Sequence, residues 1–467
     1  MTEEELLKPS TFRDTASTVT KGGKRHWIYA LQPKGKFYNT RNVLAFVYVI
    51  AFFVMPFIKV NDMPFILLNV VKGKFILFGK IFWPQDFFIF AIAMITFIIF
   101  IVLFTVVYGR LFCGWACPQT IFMEFVFRKI EWWIEGSPTQ QKAREKEGFT
   151  TTNAFRKSAK HVIFFLLSFL IAHTFLAYII GIDELLRIIE EPMFEHIALL
   201  TGLLIFTFLF YSVYAFVREI VCTTICPYGR LQGVMFDKDT MQISYDYERG
   251  EPRGKFSKKQ ENHYGDCIDC KKCVAVCPTG IDIRNGIQME CVGCTACIDA
   301  CNGIMEQLSL PKGLIRYASE NEIANKTKFV FNTRMKAYTA LLGLLIIFMS
   351  ILIASRKTVD TYVSRAKNQL YQELPTGSIS NLYDAKILNK TNKEIPVELS
   401  IEDNIGIIKI VGSKNILLKK EAVNEITFFV EIDKSKIKHR STAIKINVIK
   451  DGKIIETIKT KFLGPFI

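Results

Sequence analysis

The chain has 467 residues, a formal net charge of +15, hydrophobic residues at half of its positions and 40 phenylalanines. This composition excludes an ordinary soluble core and points to membrane helices, with room for about two to four domains. The positive charge does not make it a nucleic-acid binder: lysines and arginines are spread along the chain, no reading-head motif occurs, and basic loops beside membrane helices account for the excess. No Walker loop, dinucleotide-binding glycine fingerprint or nucleophile elbow stands in its required context.

Residues 1–41 form a charge-rich tail, expected to be solvated and to lie in the cytoplasm. Five apolar runs follow: Val43–Ile58, Phe87–Tyr108, Val162–Gly181, Ile197–Val217 and Ala337–Ala354. Most reach the ~20 residues needed to cross a bilayer. The first begins only after residue 42, so no cleavable signal is expected. Lysine and arginine crowd the tail and the loop after the second run, whereas the loop between the third and fourth has only Arg187. The tail and the second and fourth loops are therefore expected in the cytoplasm, with the C-terminus outside. Residues 42–240 read as a four-helix membrane region.

The second and fourth runs end alike, in Arg110-Leu-Phe-Cys113-Gly-Trp-Ala-Cys117-Pro118 and Arg218-Glu-Ile-Val-Cys222-Thr-Thr-Ile-Cys226-Pro227. Cysteines at i and i+4 share one helical face, and the proline breaks the helix or frees a carbonyl. This internal repeat predicts four thiols converging near the membrane surface, with Arg110 and Arg218 helping to stabilise thiolates. Soft sulfur donors favour Cu(I), zinc or an iron–sulfur cluster. Cys113, Cys117, Cys222 and Cys226 are thus candidates for copper binding and for catalysis. A third cluster that only relays electrons, or cysteines used as small packing residues, are the competing readings. His173 is an ionisable residue deep in the third run and a candidate for metal, quinol or a backbone carbonyl. Met123 and Met235 read as core residues rather than thioether ligands.

Residues 241–336 hold the remaining eight cysteines in two runs. Cys267, Cys270, Cys273 and Cys277 come first, then Cys291, Cys294, Cys297 and Cys301. Both have C-x2-C-x2-C-x3-C spacing, the pattern of a bacterial-type ferredoxin carrying two [4Fe-4S] clusters. In that arrangement Cys267, Cys270, Cys273 and Cys301 hold one cluster, and Cys291, Cys294, Cys297 and Cys277 the other. Zinc has no use for three cysteines spaced by two and a fourth by three, twice over. Pro278 follows the first run, but Asn302 stands at the corresponding place after the second.

Residues 337–354 read as a fifth membrane helix. Residues 358–467 lack cysteine and alternate in pattern, with strands expected at Ile395–Ile401, Ile407–Val411, Ile426–Ile432, Ala443–Ile449 and Lys453–Lys459. Asp451-Gly452 is a strong hairpin signal. The whole is expected to be a membrane α-helical bundle with an inserted 2[4Fe-4S] ferredoxin domain and a C-terminal all-β immunoglobulin-like sandwich.

These motifs resemble the FixG/RdxA/CcoG cytochrome c oxidase accessory proteins over nearly the whole chain. The resemblance is carried by Gly23-Lys-Arg-His-Trp-Ile-Tyr29, Gly35-Lys-Phe-Tyr38, Trp83-Pro-Gln-Asp86, Arg110 to Thr120, Cys226-Pro-Tyr-Gly-Arg-Leu-Gln232, Pro278-Thr-Gly-Ile-Asp-Ile-Arg284 and Gly313-Leu-Ile-Arg-Tyr317. Ala30-Leu-Gln-Pro33 departs from a lysine-richer stretch expected there. The resemblance implies reduction of Cu(II) to Cu(I) in the bacterial cytoplasmic membrane for assembly of cbb3-type oxidases. It implies as partners a cytoplasmic electron donor, a copper transporter or chaperone, and oxidase assembly factors or subunits. A quinol dehydrogenase subunit and a non-catalytic assembly scaffold are the alternative functions.

Overall fold

The computed structural model describes residues 18, 25–60, 62–70, 73–83, 86–148, 150–254, 264–326, 331–366, 370–402, 405–412, 416–437 and 439–465. Most of the charge-rich tail, residues 1–17 and 19–24, lies outside them. The chain divides into two compact units, 1–58 with 91–347, and 59–90 with 348–467.

Five helices are long and apolar enough to cross a bilayer. The spans are Lys36–Phe57, Phe88–Tyr108, Thr151–Ile180, Phe194–Val217 and Thr333–Ala354, built on α1 (Lys36–Val54), α2 (Phe87–Tyr108), α3 (Thr151–Ile180), α4 (Ile197–Ser212) and α5 (Thr333–Ala354). Their apolar surfaces are largely uncovered, as lipid-facing helices require. In the first unit Phe122, Met123, Phe127, Phe164, Ile171 and Tyr214 form the buried centre of the bundle. Met123 is thus a packing residue, and Met235 packs beside Val106, Val107 and Met335. His173 spends Nδ1 on the Phe169 carbonyl at 3.0 Å, the bond that keeps a polar ring tolerable within an apolar helix.

The N-terminus of α1 is closed from a distance. Asp299, in the second ferredoxin run, accepts from the Phe37 N–H at 3.2 Å and the Tyr38 N–H at 2.7 Å. A carboxylate there satisfies orphan donors and complements the helix dipole. Gly35 makes the approach possible, because a Cβ on it would lie 2.3 Å from Asp299 Cγ.

The ferredoxin segment is framed by antiparallel strands Gln242–Tyr245 and Ile315–Ala318. Its two cysteine runs repeat one backbone device. The residues flanking the second cysteine are left-handed in both, Asp269 and Lys271 in the first, Gly293 and Thr295 in the second. The third cysteine then enters a short helix, Lys272–Ala275 or Ala296–Gln307. Asn302, at the place of the second proline, accepts from the Gly313 N–H at 2.9 Å and ties the helix to the following loop.

In the second unit residues 359–463 form the two-sheet immunoglobulin-like region. One sheet runs Gly406–Ile410, Val423–Asp433, Ser378–Asn389, Val359–Arg365, with Gln372–Glu373 also on Ser378–Asn389; the other runs Ile416–Leu418, Ile395–Ile401, Ser441–Lys450, Lys453–Leu463. Alternate residues Tyr383, Ile387, Phe428, Val430, Ile446, Val448 and Phe462 fill the space between them. Asp451 and Gly452 both have positive φ and close the final hairpin. Residues 59–82, between the first two membrane helices, carry short strands the sequence reading did not anticipate, including the meander Ile66–Asn69, Lys74–Leu77, Lys80–Phe82. Within this unit the buried Asp86 meets Arg356 at 2.5 Å and Lys390 at 2.6 Å.

Candidate metal centres

The local structure around the two C-x3-C-P motifs differs from a single helical face. Helix α2 stops at Gly109, whose φ is +56° and whose Cβ would press the Met241 carbonyl at 3.0 Å. Cys113 sits in a separate short helix, Leu111–Trp115. Cys117 is extended and caps the next helix, with Pro118 at its first position. The second motif repeats this by another route: Cys222 lies in a π turn, Val221–Ile225, and Cys226 is the extended cap before Pro227. Each proline therefore starts a helix rather than ending one. It disfavours the helical conformation for the cysteine before it, and its missing N–H costs nothing at the first helical position. Further π turns, Phe122–Phe127 and Val213–Val217, adjoin the motifs and re-aim the chain at both.

The four thiols lie within electrostatic reach of one another: Cys113 feels Cys117 and Cys226, and Cys222 feels the other three. Burial, then these neighbours, pushes Cys113 and Cys222 up to about 12. Burial also raises Cys117, opposed by N–H groups of Gln119 and Thr120 in the first turn it caps. Without metal, Cys113, Cys117 and Cys222 are thus protonated at neutral pH, and a soft metal ion must displace their protons to bind. The Cys113 thiol donates to Gln232 Oε1 at 3.4 Å.

The two arginines divide their roles. Arg110 donates to the Gly229 carbonyl, and its charge favours thiolate at Cys113. Arg218 does not serve the thiols as the sequence reading expected. Its guanidinium forms a two-bond pair with Glu131 at 3.2 and 3.0 Å and lies over Trp27. That pairing holds the positive φ of Arg218, 55°, where the chain leaves the α4 span and turns into the second motif.

The eight ferredoxin cysteines line two adjoining cavities. Cys267, Cys270, Cys273 and Cys301 line one, with Ile304, Met305, Leu314 and Ile315. Cys277, Cys291, Cys294 and Cys297 line the other, with Ile281, Ile283 and Val292, and Cys273 stands in the wall between. Burial raises the thiols of Cys273, Cys291, Cys294, Cys297 and Cys301. Four sulfur donors in mainly apolar walls, with Lys271 and Arg284 on the first cavity, Thr279 on the second and no carboxylate on either, are a donor set that fits a cubane cluster in each.

The second cavity is joined to the dithiols. Cys113 and Cys222 pack against Val276, Val292, Cys294 and Ala296. Backbones touch at Gly114 and Gly293, where a Cβ on Gly114 would lie 2.5 Å from the Gly293 carbonyl oxygen. Arg41 spans the seam, donating to the Gly114 carbonyl at 3.0 Å and the Cys294 carbonyl at 2.7 Å. Sequence reading missed Arg41, Gln232 and Asp299. The signal available for Arg41 was an ionisable residue at the mouth of an apolar run.

Comparison with known proteins agrees with these parts. A 4Fe-4S dicluster domain matches residues 217–320, a 4Fe-4S binding domain matches residues 90–136, and the Ig-like fold at the C-terminus of FixG matches residues 349–465. Protein RdxA of Cereibacter sphaeroides is 32% identical over 351 residues, 73% of this chain and 74% of that protein. Protein RdxB of the same organism is 30% identical, covering 81% and 82%. The nitrogen fixation protein FixG of Rhizobium meliloti is 28% identical, covering 81% and 80%. This chain belongs to the FixG/RdxA family of membrane iron–sulfur electron-transfer proteins.

Proposed function

We propose that the chain is a cupric reductase of the bacterial cytoplasmic membrane, supplying Cu(I) for assembly of a cbb3-type oxidase. The observation that supports this reading is the packing of Cys113 and Cys222 directly on the wall of the second ferredoxin cavity. The ligand sets are Cys267, Cys270, Cys273 and Cys301 for the first cluster, and Cys277, Cys291, Cys294 and Cys297 for the second. When bound, these clusters supply one-electron storage beside the four thiols. Cys113, Cys117, Cys222 and Cys226 take up Cu(II) with release of thiol protons. One electron, delivered by a cytoplasmic donor, converts each ion to Cu(I), which suits four soft sulfur donors and leaves for a transporter or chaperone. The ferredoxin segment and both dithiols lie on the cytoplasmic side in this reading, and the immunoglobulin-like domain outside engages oxidase assembly partners.

The test uses purified protein, reduced anaerobically, with Cu(II) and a Cu(I)-specific chelator. Recovery of oxidised-cluster absorbance matched by chelated Cu(I), and abolished when all four membrane cysteines are serine, is the expected result. Undiminished Cu(I) formation by that variant with its iron complete sinks the proposal. A second reading, a third cluster on the same four thiols, is favoured by the 4Fe-4S binding domain match across Cys113 and Cys117. It predicts about twelve irons per chain instead of about eight.

A further inference from the structure

We infer that Arg41 is a positioning residue that makes the second cluster the higher-potential one of the pair. The inference rests on the assignment of Cys294 to that cluster and is independent of copper.

The two cavities are flanked by arginines of opposite electrostatic standing. Arg284 lines the first cavity, but its guanidinium is bound by two carboxylates, Asp282 at 2.6 Å and Asp269. The net charge of that trio is negative. Arg41 beside the second cavity is only 4% exposed and spends its donors on neutral carbonyls, those of Gly114 and Cys294. Its Nη2 is buried without a hydrogen-bond partner, and no carboxylate pairs with Arg41 among the described residues. Arg110, nearby, likewise donates to a carbonyl, that of Gly229. Its charge bears on Cys291 of the same cavity.

A cubane gains one negative charge on reduction. An uncompensated cation buried next to it stabilises the reduced form, because screening is weak at low dielectric. An arginine paired with two aspartates gives less such help: Arg284 favours thiolate at Cys273, but Asp282 opposes it. Electrons arriving at the first cluster therefore run downhill to the second, where Cys113 and Cys222 wait. The same two bonds from Arg41 fix the second cavity to the loop between Cys113 and Cys117, so one side chain sets both direction and distance.

The experiment is an EPR-monitored redox titration of the full-length protein in detergent, with iron and sulfide measured on each sample. The lower-potential signal is assigned to the first cluster by its alteration in Cys270→Ser. In Arg41→Gln with iron complete, the higher midpoint is expected to fall toward the lower one, while the lower stays. Arg41→Lys should retain most of the wild-type gap. Asp282→Asn provides a test from the other side and does not depend on the Arg41 variants folding. It removes one of the two negative charges on Arg284 and takes that trio from net negative to neutral, so the lower midpoint should rise toward the higher. Midpoints that stay fixed in Arg41→Gln, or that move together, overturn the inference, as does an unmoved lower midpoint in Asp282→Asn.

Discussion

The two cysteine runs have identical spacing yet end in unlike surroundings. The first keeps one cysteine, Cys270, exposed, flanked by exposed Asp269, Lys271 and Lys272. The second has a glycine, Gly293, where the first has Asp269, and that glycine lies against the backbone of the first dithiol loop. The comparison teaches that ligand spacing fixes what is bound, while the residues between ligands fix what the bound group faces. One run keeps a cysteine at the surface. The other faces the membrane thiols.

The sharpest way to break this contrast is at the backbone seam. Gly114→Ala places a methyl within 2.5 Å of the Gly293 carbonyl oxygen, and neither backbone has a flexible end to yield. The expected outcome is loss of about half the iron, with the second cluster's EPR signal gone and the first intact. Equal loss of both would erase the distinction. Asp269→Gly, at the position that corresponds to Gly293, should leave iron content unchanged, since Asp269 is exposed.

Thiol reactivity sharpens the same contrast. In protein stripped of iron under anaerobic conditions, iodoacetamide should label Cys270 at least ~10-fold faster than Cys294 and Cys297, because thiolate fraction and access both fall on burial. Peptide mass spectrometry over a time course reads the ratio, and equal rates would count against it. The smallest effect is expected at Asp299. Asp299→Ala removes the cap from α1 and should cost about 1 kcal/mol locally. Faster hydrogen exchange at the Phe37 and Tyr38 amides, with Asp299→Asn intermediate, would show it.

Much of this was legible because cysteine spacing, apolar run length and strand alternation are local signals. The five helices and the Asp451-Gly452 hairpin follow from them. What stayed hidden was non-local. The central strand Ser378–Asn389 mixes serine, asparagine, aspartate and lysine with its apolar residues, so its alternation is masked. The short strands of residues 59–82 give no clear sequence signal because each has four residues or fewer. At the site, i,i+4 spacing suggested one helical face. The prolines instead impose an extended cysteine before each new helix, and local pattern cannot say that Arg218 prefers Glu131 to a thiol.

The cap on α1 also sets an order of events. Tyr38 and Asp299 are 261 positions apart. At ordinary synthesis rates of roughly 5–20 residues per second, the first membrane helix leaves the ribosome on the order of tens of seconds before the carboxylate that closes it exists. Through that interval its leading amides must be held by water or lipid headgroups. Completion of the helix end and of the second cysteine run then becomes a single late step, so a nascent chain that fails to build one is left with the other visibly unfinished to quality-control proteases.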